Sequence, residues 1–90
     1  MTYIHITRTP GQGLTDYDRI RHALGDAPIA GQLSHYVGES DGSLCIVDVW
    51  ASKADADRFA GERLFPAFEL AGVRPSADAV LLAFTGDDRG

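Results

Sequence analysis

The stretch Leu44-Cys45-Ile46-Val47-Asp48-Val49-Trp50-Ala51-Ser52 decides how this chain is to be read. Its β-branched content specifies a strand, and a strand sends successive side chains to opposite faces. Leu44, Ile46, Asp48 and Trp50 therefore share one face, and Cys45, Val47, Val49 and Ala51 the other. The second face is small and wholly apolar, so it is expected to lie under helices, with Cys45 a buried, inert thiol. The first combines bulk with a carboxylate and is expected to line a site.

The neighbouring segments follow outward from this strand. Ser52 with Asp55 is a helix-capping signature, and Ala56, Phe59, Ala60, Leu64, Ala67, Phe68 and Ala71 mark one face of a helical stretch ending at Gly72. Pro66 lacks an amide hydrogen, which predicts a kink or break between about 61 and 66. Upstream, Asp41-Gly42 is a hairpin turn that returns the chain to a strand at 32–37. Residues 3–8 alternate as a first strand ended by Pro10-Gly11-Gln12-Gly13, a turn without the third Gly and the Lys of a phosphate loop. Thr15 and Asp18 form a capping box for a helix over about 16–24, with Tyr17, Ile20 and Leu24 on its apolar face. A last strand is expected at 79–85, then a loose polar tail at 86–90.

The order β-α-β-β-α-β is that of the α+β ferredoxin-like fold, a four-stranded antiparallel sheet covered on one face by both helices, and residues 1–90 read as a single domain. Four short strands leave a second face of roughly 300 Å² in projection. With Leu33, Val37, Leu44, Ile46 and Trp50 on it, that face is too apolar to stay wet. A second copy packing sheet against sheet would cover it, and the two subunits would form a dimeric α+β barrel enclosing a cavity.

Residues paired about the turn have numbers that sum to 83, as those of Asp41 and Gly42 do, which sets His35 opposite Asp48, Leu33 opposite Trp50 and Val37 opposite Ile46. On this register His35 and Asp48 are the candidate catalytic pair, an imidazole oriented by a carboxylate and able to move protons near neutral pH. The same pairing serves equally to satisfy two polar groups and hold the register. In the ferredoxin-like strand order the first strand runs along the other side of the third, so His5, with Tyr3 and Thr7, is expected to flank Asp48. Trp50, Tyr3, Leu33 and Ile46 would supply apolar walls suited to an aromatic ligand. A His5-Asp48-His35 metal triad is disfavoured, because three adjacent strands spread the histidines roughly 10 Å apart. His22 follows Arg21 late on the first helix and reads as solvated.

Bulk properties narrow the function classes. The chain has 90 residues, 44% of them hydrophobic, and a net charge of −5. Its eight Lys and Arg are scattered and offer no stripe for phosphate, so nucleic acid is not an expected partner. Signal-peptide and membrane-span patterns are lacking, which implies a cytoplasmic protein with no membrane partner. A single cysteine forms no internal disulfide or thiolate cluster.

The segment Asp48-Val49-Trp50-Ala51-Ser52, followed by a capped helix carrying Phe59, resembles the acid-x-Trp-x-Ser signature of the antibiotic-biosynthesis-monooxygenase-like dimeric α+β barrels. The resemblance implies a homodimer with a pocket in each subunit, no bound cofactor, and small hydrophobic metabolites, often polyketide-like phenols, as substrates. Only Asp48 and Trp50 match residue by residue. Ala60, Gly61, Glu62 and Arg63 stand where several relatives carry a helical His, so the resemblance does not extend to the haem-degrading branch. Three functions remain open at this point: an acid-base cyclase or isomerase using His35 and Asp48 with His5 or Tyr3, a cofactor-independent monooxygenase, and a non-catalytic ligand-binding or stress-related dimer.

Overall fold

Four alternating segments pair into one sheet. In the computed structural model, which describes residues 2–74, 78–87 and 89, the strands are β1 (Thr2–Pro10), β2 (Gln32–Ser40), β3 (Ser43–Trp50) and β4 (Val80–Gly86). They run antiparallel in the order β2-β3-β1-β4. Helix α1 (Leu14–Leu24) joins β1 to β2, while α2 (Lys53–Phe59), a π-helical turn (Ala60–Leu64) and α3 (Phe65–Ala71) lead from β3 toward β4. The architecture is ferredoxin-like. Gly86 belongs to β4, and of the tail expected beyond it Asp88 and Gly90 lie outside the described residues.

Each connection has a local cause. Asp41 (φ 50°) and Gly42 (φ 73°) form a two-residue turn with both residues left-handed, the geometry that matches strand twist. Ser40 therefore faces Ser43 and β2 runs three residues past its expected end. Helix α1 starts at Leu14 rather than 16 because its free amides find other acceptors. The Asp16 carboxylate accepts from Gly13 N–H at 3.0 Å, and Glu39, reaching across from β2, accepts from Leu14 N–H at 2.6 Å. Ser52 caps α2 as expected, its hydroxyl accepting from Asp55 N–H at 3.2 Å. The break anticipated from Pro66 is the π turn, in which Phe65 N–H bonds the Ala60 carbonyl five residues back. Pro66 then sits in the first turn of α3, where no amide is missed.

The helices cover the face opposite to the one expected. Ile20, Ala56 and Ala67 bury themselves with Leu44 and Trp50, and the Trp50 ring lies 5.3 Å from that of Phe59. Cys45, Val47 and Val49 lie on the open face instead, and Cys45 is half-buried there, its Sγ 3.9 Å from the Ser43 carbonyl. Ile4 and Ile6 on β1 and Leu82 and Phe84 on β4 complete that open face. Alternation groups side chains by face but does not say which face a helix will cover. Here the bulky face meets bulky helix residues, while the smooth one is left free. A second correction concerns Leu33. A bulge between Gln32 and Ser34 sets Gln32, not Leu33, opposite Trp50, and Leu33 is 58% exposed.

Candidate active site

Between the sheet and the helices lies a cavity of about 340 Å³. β1 contributes His5, Thr7 and Thr9 to its lining, β2 contributes Gln32 and His35, and β3 contributes Leu44, Ile46 and Asp48. The roof comes from Tyr17, Ile20, Arg21 and Leu24 of α1, with Phe59, Leu64 and Phe68 from the second helical stretch. The cavity therefore lies between this chain's own two layers. It is not a space between two sheets.

The pairing rule about Asp41-Gly42 holds at the residues that matter. His35 faces Asp48 in the β2–β3 ladder and His5 faces Asp48 in the β1–β3 ladder, so the carboxylate has an imidazole on either side. His35 Nδ1 is hydrogen-bonded to Asp48 Oδ1. Gln32 Nε2 donates to the same oxygen at 3.3 Å, and the Asp48 side chain is only 15% exposed. His5 makes a tilted ring contact with Tyr3 at 6.4 Å. Among the described residues no group of three or more His, Cys, Asp or Glu has the geometry to hold a metal ion.

Tyr17 completes the arrangement. Its hydroxyl lies 2.8 Å from His35 Nε2 and its ring stacks on the imidazole with centroids 5.7 Å apart. Burial pushes the Tyr17 hydroxyl's pKa above its ordinary value; Arg21, one turn along, works against this, and Asp48 and Asp18 add to it. The hydroxyl therefore keeps its proton at neutral pH. The result is a chain of polar groups, Tyr17–His35–Asp48–Gln32, running from the roof into the floor of a mainly apolar cavity.

Four of the residues singled out from sequence, His5, His35, Ile46 and Asp48, line the cavity together. Trp50, Tyr3 and Leu33 are not among its described lining residues. Trp50 is buried behind Phe59, Tyr3 sits beyond His5, and Leu33 is turned out by the bulge. Sequence reasoning missed Tyr17 and Gln32 as site residues. Tyr17 occupies an apolar-stripe position, and the available signal was its polar tip, which a buried tyrosine usually satisfies.

Neither the protein-family models nor the curated protein sequences match this chain. Solved structures do. SnoaB, a cofactor-independent oxygenase from Streptomyces nogalater, superposes with a TM-score of 0.65 at 17% identity over 94% of this chain and 92% of its own. A monooxygenase from the gene ActVA-Orf6 of Streptomyces coelicolor, solved with the ligand nanaomycin D, gives 0.66 at 16% identity over 94% and 87%. Rv0793 from Mycobacterium tuberculosis gives 0.68 at 17% identity over 99% and 98%. The chain shares the fold of all three, which is the fold that the Asp48–Ser52 segment implied. At such identities the likeness is one of fold. No helix among the described residues is long and apolar enough to cross a membrane.

Proposed function

We propose that the chain is an enzyme of small-molecule metabolism that performs acid-base chemistry, a cyclisation or isomerisation, on a hydrophobic oxygenated aromatic of polyketide-like type held between its sheet and helices. One observation carries this reading: His35 is held at both ring nitrogens, by Asp48 on one side and by the Tyr17 hydroxyl at 2.8 Å on the other, against an apolar cavity. With Nδ1–H donated to Asp48, Nε2 accepts the Tyr17 proton. A substrate hydroxyl or enolisable C–H beside Tyr17 loses its proton to the tyrosine oxygen as the tyrosine proton moves to His35. The imidazolium formed is stabilised by Asp48, and the substrate is left as a phenolate or enolate. The proton returns to a different carbon in an isomerisation, or to the alkoxide created when the enolate carbon attacks a carbonyl in a cyclisation.

The test uses 2-tetralone, whose C1 protons are acidic and whose exchange with D₂O is followed by NMR under argon. Wild type should exchange these protons faster than buffer, and His35→Gln should lose about 10²-fold or more of that acceleration. Equal rates for the two proteins would remove His35 from the chemistry.

A second reading is favoured by the oxygenase and monooxygenase among the structures sharing this fold. The same deprotonation would expose a carbanion to O₂, converting the CH₂ of an anthrone to a carbonyl while the second oxygen atom leaves as water. Uptake of O₂ with an anthrone, measured at an oxygen electrode, separates it from the first. A binder whose cavity is filled by its own side chains finds no support in an unfilled space of this size.

The same reading includes a homodimer, supported by the open sheet face. Ile4, Ile6, Val47, Val49, Leu82 and Phe84 form a continuous apolar surface there, with Leu82 57% and Phe84 44% exposed. A second copy across a two-fold axis covers such a surface with itself.

A further inference from the structure

Proton movement explains the floor of the cavity but not what holds a ligand in it. Helix α1 contributes Tyr17, Ile20, Arg21 and Leu24 to the cavity lining, at the i, i+3, i+4, i+7 spacing of one helix face. Tyrosine, isoleucine and leucine are ordinary on such a face. Arg21 differs from them: its side chain is 45% exposed, so its guanidinium borders the cavity while keeping part of its water.

Its present partners do not account for it. One N–H bonds the Gly25 carbonyl, closing the end of α1, and a second nitrogen stands 3.6 Å from Asp26, whose side chain is fully exposed. An exposed pair of that kind contributes little. Of the guanidinium's five donors, most are left for something else. Arg21 is also the sole Lys or Arg among the described lining residues, in a chain with a net charge of −5. Asp48 works against an anion in the cavity, and Arg21 is the permanent cation that works for one.

We propose that Arg21 is the anion-binding residue of this cavity and that the ligand is a hydroxy acid, its carboxylate on the guanidinium and its hydroxyl at Tyr17. Residues four apart on a helix have their Cβ atoms about 5–6 Å from each other, which suits an aromatic carrying the two groups on adjacent or nearby ring carbons. The planar fork of Arg21 takes both carboxylate oxygens, while Phe59 and Ile46 supply apolar contact for the rings. The proposal rests on the cavity's being the ligand site, and it specifies the chemical class that the site selects.

The experiment compares 1-hydroxy-2-naphthoic acid with 2-acetyl-1-naphthol, a neutral analogue of the same shape, by isothermal titration calorimetry. Wild type should bind the acid about tenfold tighter than the ketone, and raising NaCl from about 50 to 500 mM should shrink the difference. Arg21→Gln should erase the preference by weakening the acid alone, and Arg21→Lys should keep part of it. Asp26→Asn, at a fully exposed position, removes the competing carboxylate and should tighten the acid about twofold without affecting the ketone. Equal binding of both probes by wild type overturns the proposal and leaves the acid-base reading standing. Equal weakening of both by Arg21→Gln, with Asp26→Asn silent, also overturns it, since Arg21 then only closes α1. Failure of both probes to bind wild type overturns the cavity as the ligand site, and this inference with it. Loss of deuterium exchange in His35→Gln with the acid preference intact supports both.

Discussion

Tyr17 keeps its proton because the cavity roof removes water from its hydroxyl, and in the proposed mechanism that proton passes to His35 Nε2. Tyr17→Phe preserves the ring stacked on His35 and deletes only the relay oxygen. Exchange of the 2-tetralone protons should then fall by about 10²-fold, read by NMR. The raised pKa also makes stability depend on pH. Above the ordinary tyrosine value near 10 the unfolded chain has lost this proton and the folded chain still holds it. The stability that Tyr17 contributes is therefore complete below about pH 10 and is lost as pH rises through the folded pKa. Urea midpoints measured from pH 9 to 11 should fall more steeply for wild type than for Tyr17→Phe. The pair His35–Asp48 was legible from the turn alone, since two residues of fixed turn type set the whole β2–β3 register up to the bulge. Tyr17 was not, because its meeting with His35 depends on how α1 lies over the sheet, which no local pattern states.

The loop between α1 and β2 is held by backbone and by one arginine. Arg63, on the π turn, donates to the carbonyls of Ala27 at 3.2 Å and Pro28 at 2.9 Å and reaches Leu24 at 3.4 Å. Gly31 ends that loop at φ +83°, with its carbonyl accepting from Ala51 N–H at 2.8 Å. A Cβ there would overlap the Cβ and carboxyl group of Asp55, which is fixed by Ser52 and Arg58. Gly31→Ala should therefore cost about 1–3 kcal/mol, from the left-handed backbone and the collision together, measured by urea unfolding. Ser52→Ala removes only the cap on α2 and should cost about 1 kcal/mol. The break before Pro66 was readable because proline's missing amide is a property of one residue. That it takes the form of a π turn follows from what surrounds it, since Phe65 N–H finds the Ala60 carbonyl. The start of α1 was only partly readable, since Asp16 is a local acceptor for Gly13 N–H but Glu39, the acceptor for Leu14 N–H, is 25 residues away in the chain.

At the scale of the whole molecule the exposed apolar face dominates. A monomer of 9.7 kDa with Leu82 and Phe84 on an open sheet has too little buried surface to be comfortable alone, so light scattering after gel filtration should give about twice that mass. Val47→Asp, at the middle of the face, should shift the population to monomer and lower Tm, and wild-type Tm should rise with protein concentration. Cys45 is a built-in reporter of the same surface. Its reaction with a thiol reagent should be slow in concentrated wild type and quicken on dilution or in Val47→Asp; an equally fast reaction in all three would leave the face uncovered.

The sequence by itself determined the element order, the hairpin register that sets His35 against Asp48, the cap at Ser52 and the break before Pro66. All of these rest on interactions between residues close in the chain or mirrored about a turn. Which face of the sheet the helices cover, the outward bulge of Leu33, and the contacts of Tyr17 and Arg21 with the cavity were decided only by tertiary structure. The physical reason is that a strand's alternation separates its side chains into two sets without assigning either set to a layer. Both sets here are apolar enough to be buried, and the choice between them was made by the bulk that α1 and the second helical stretch brought to Trp50 and Leu44.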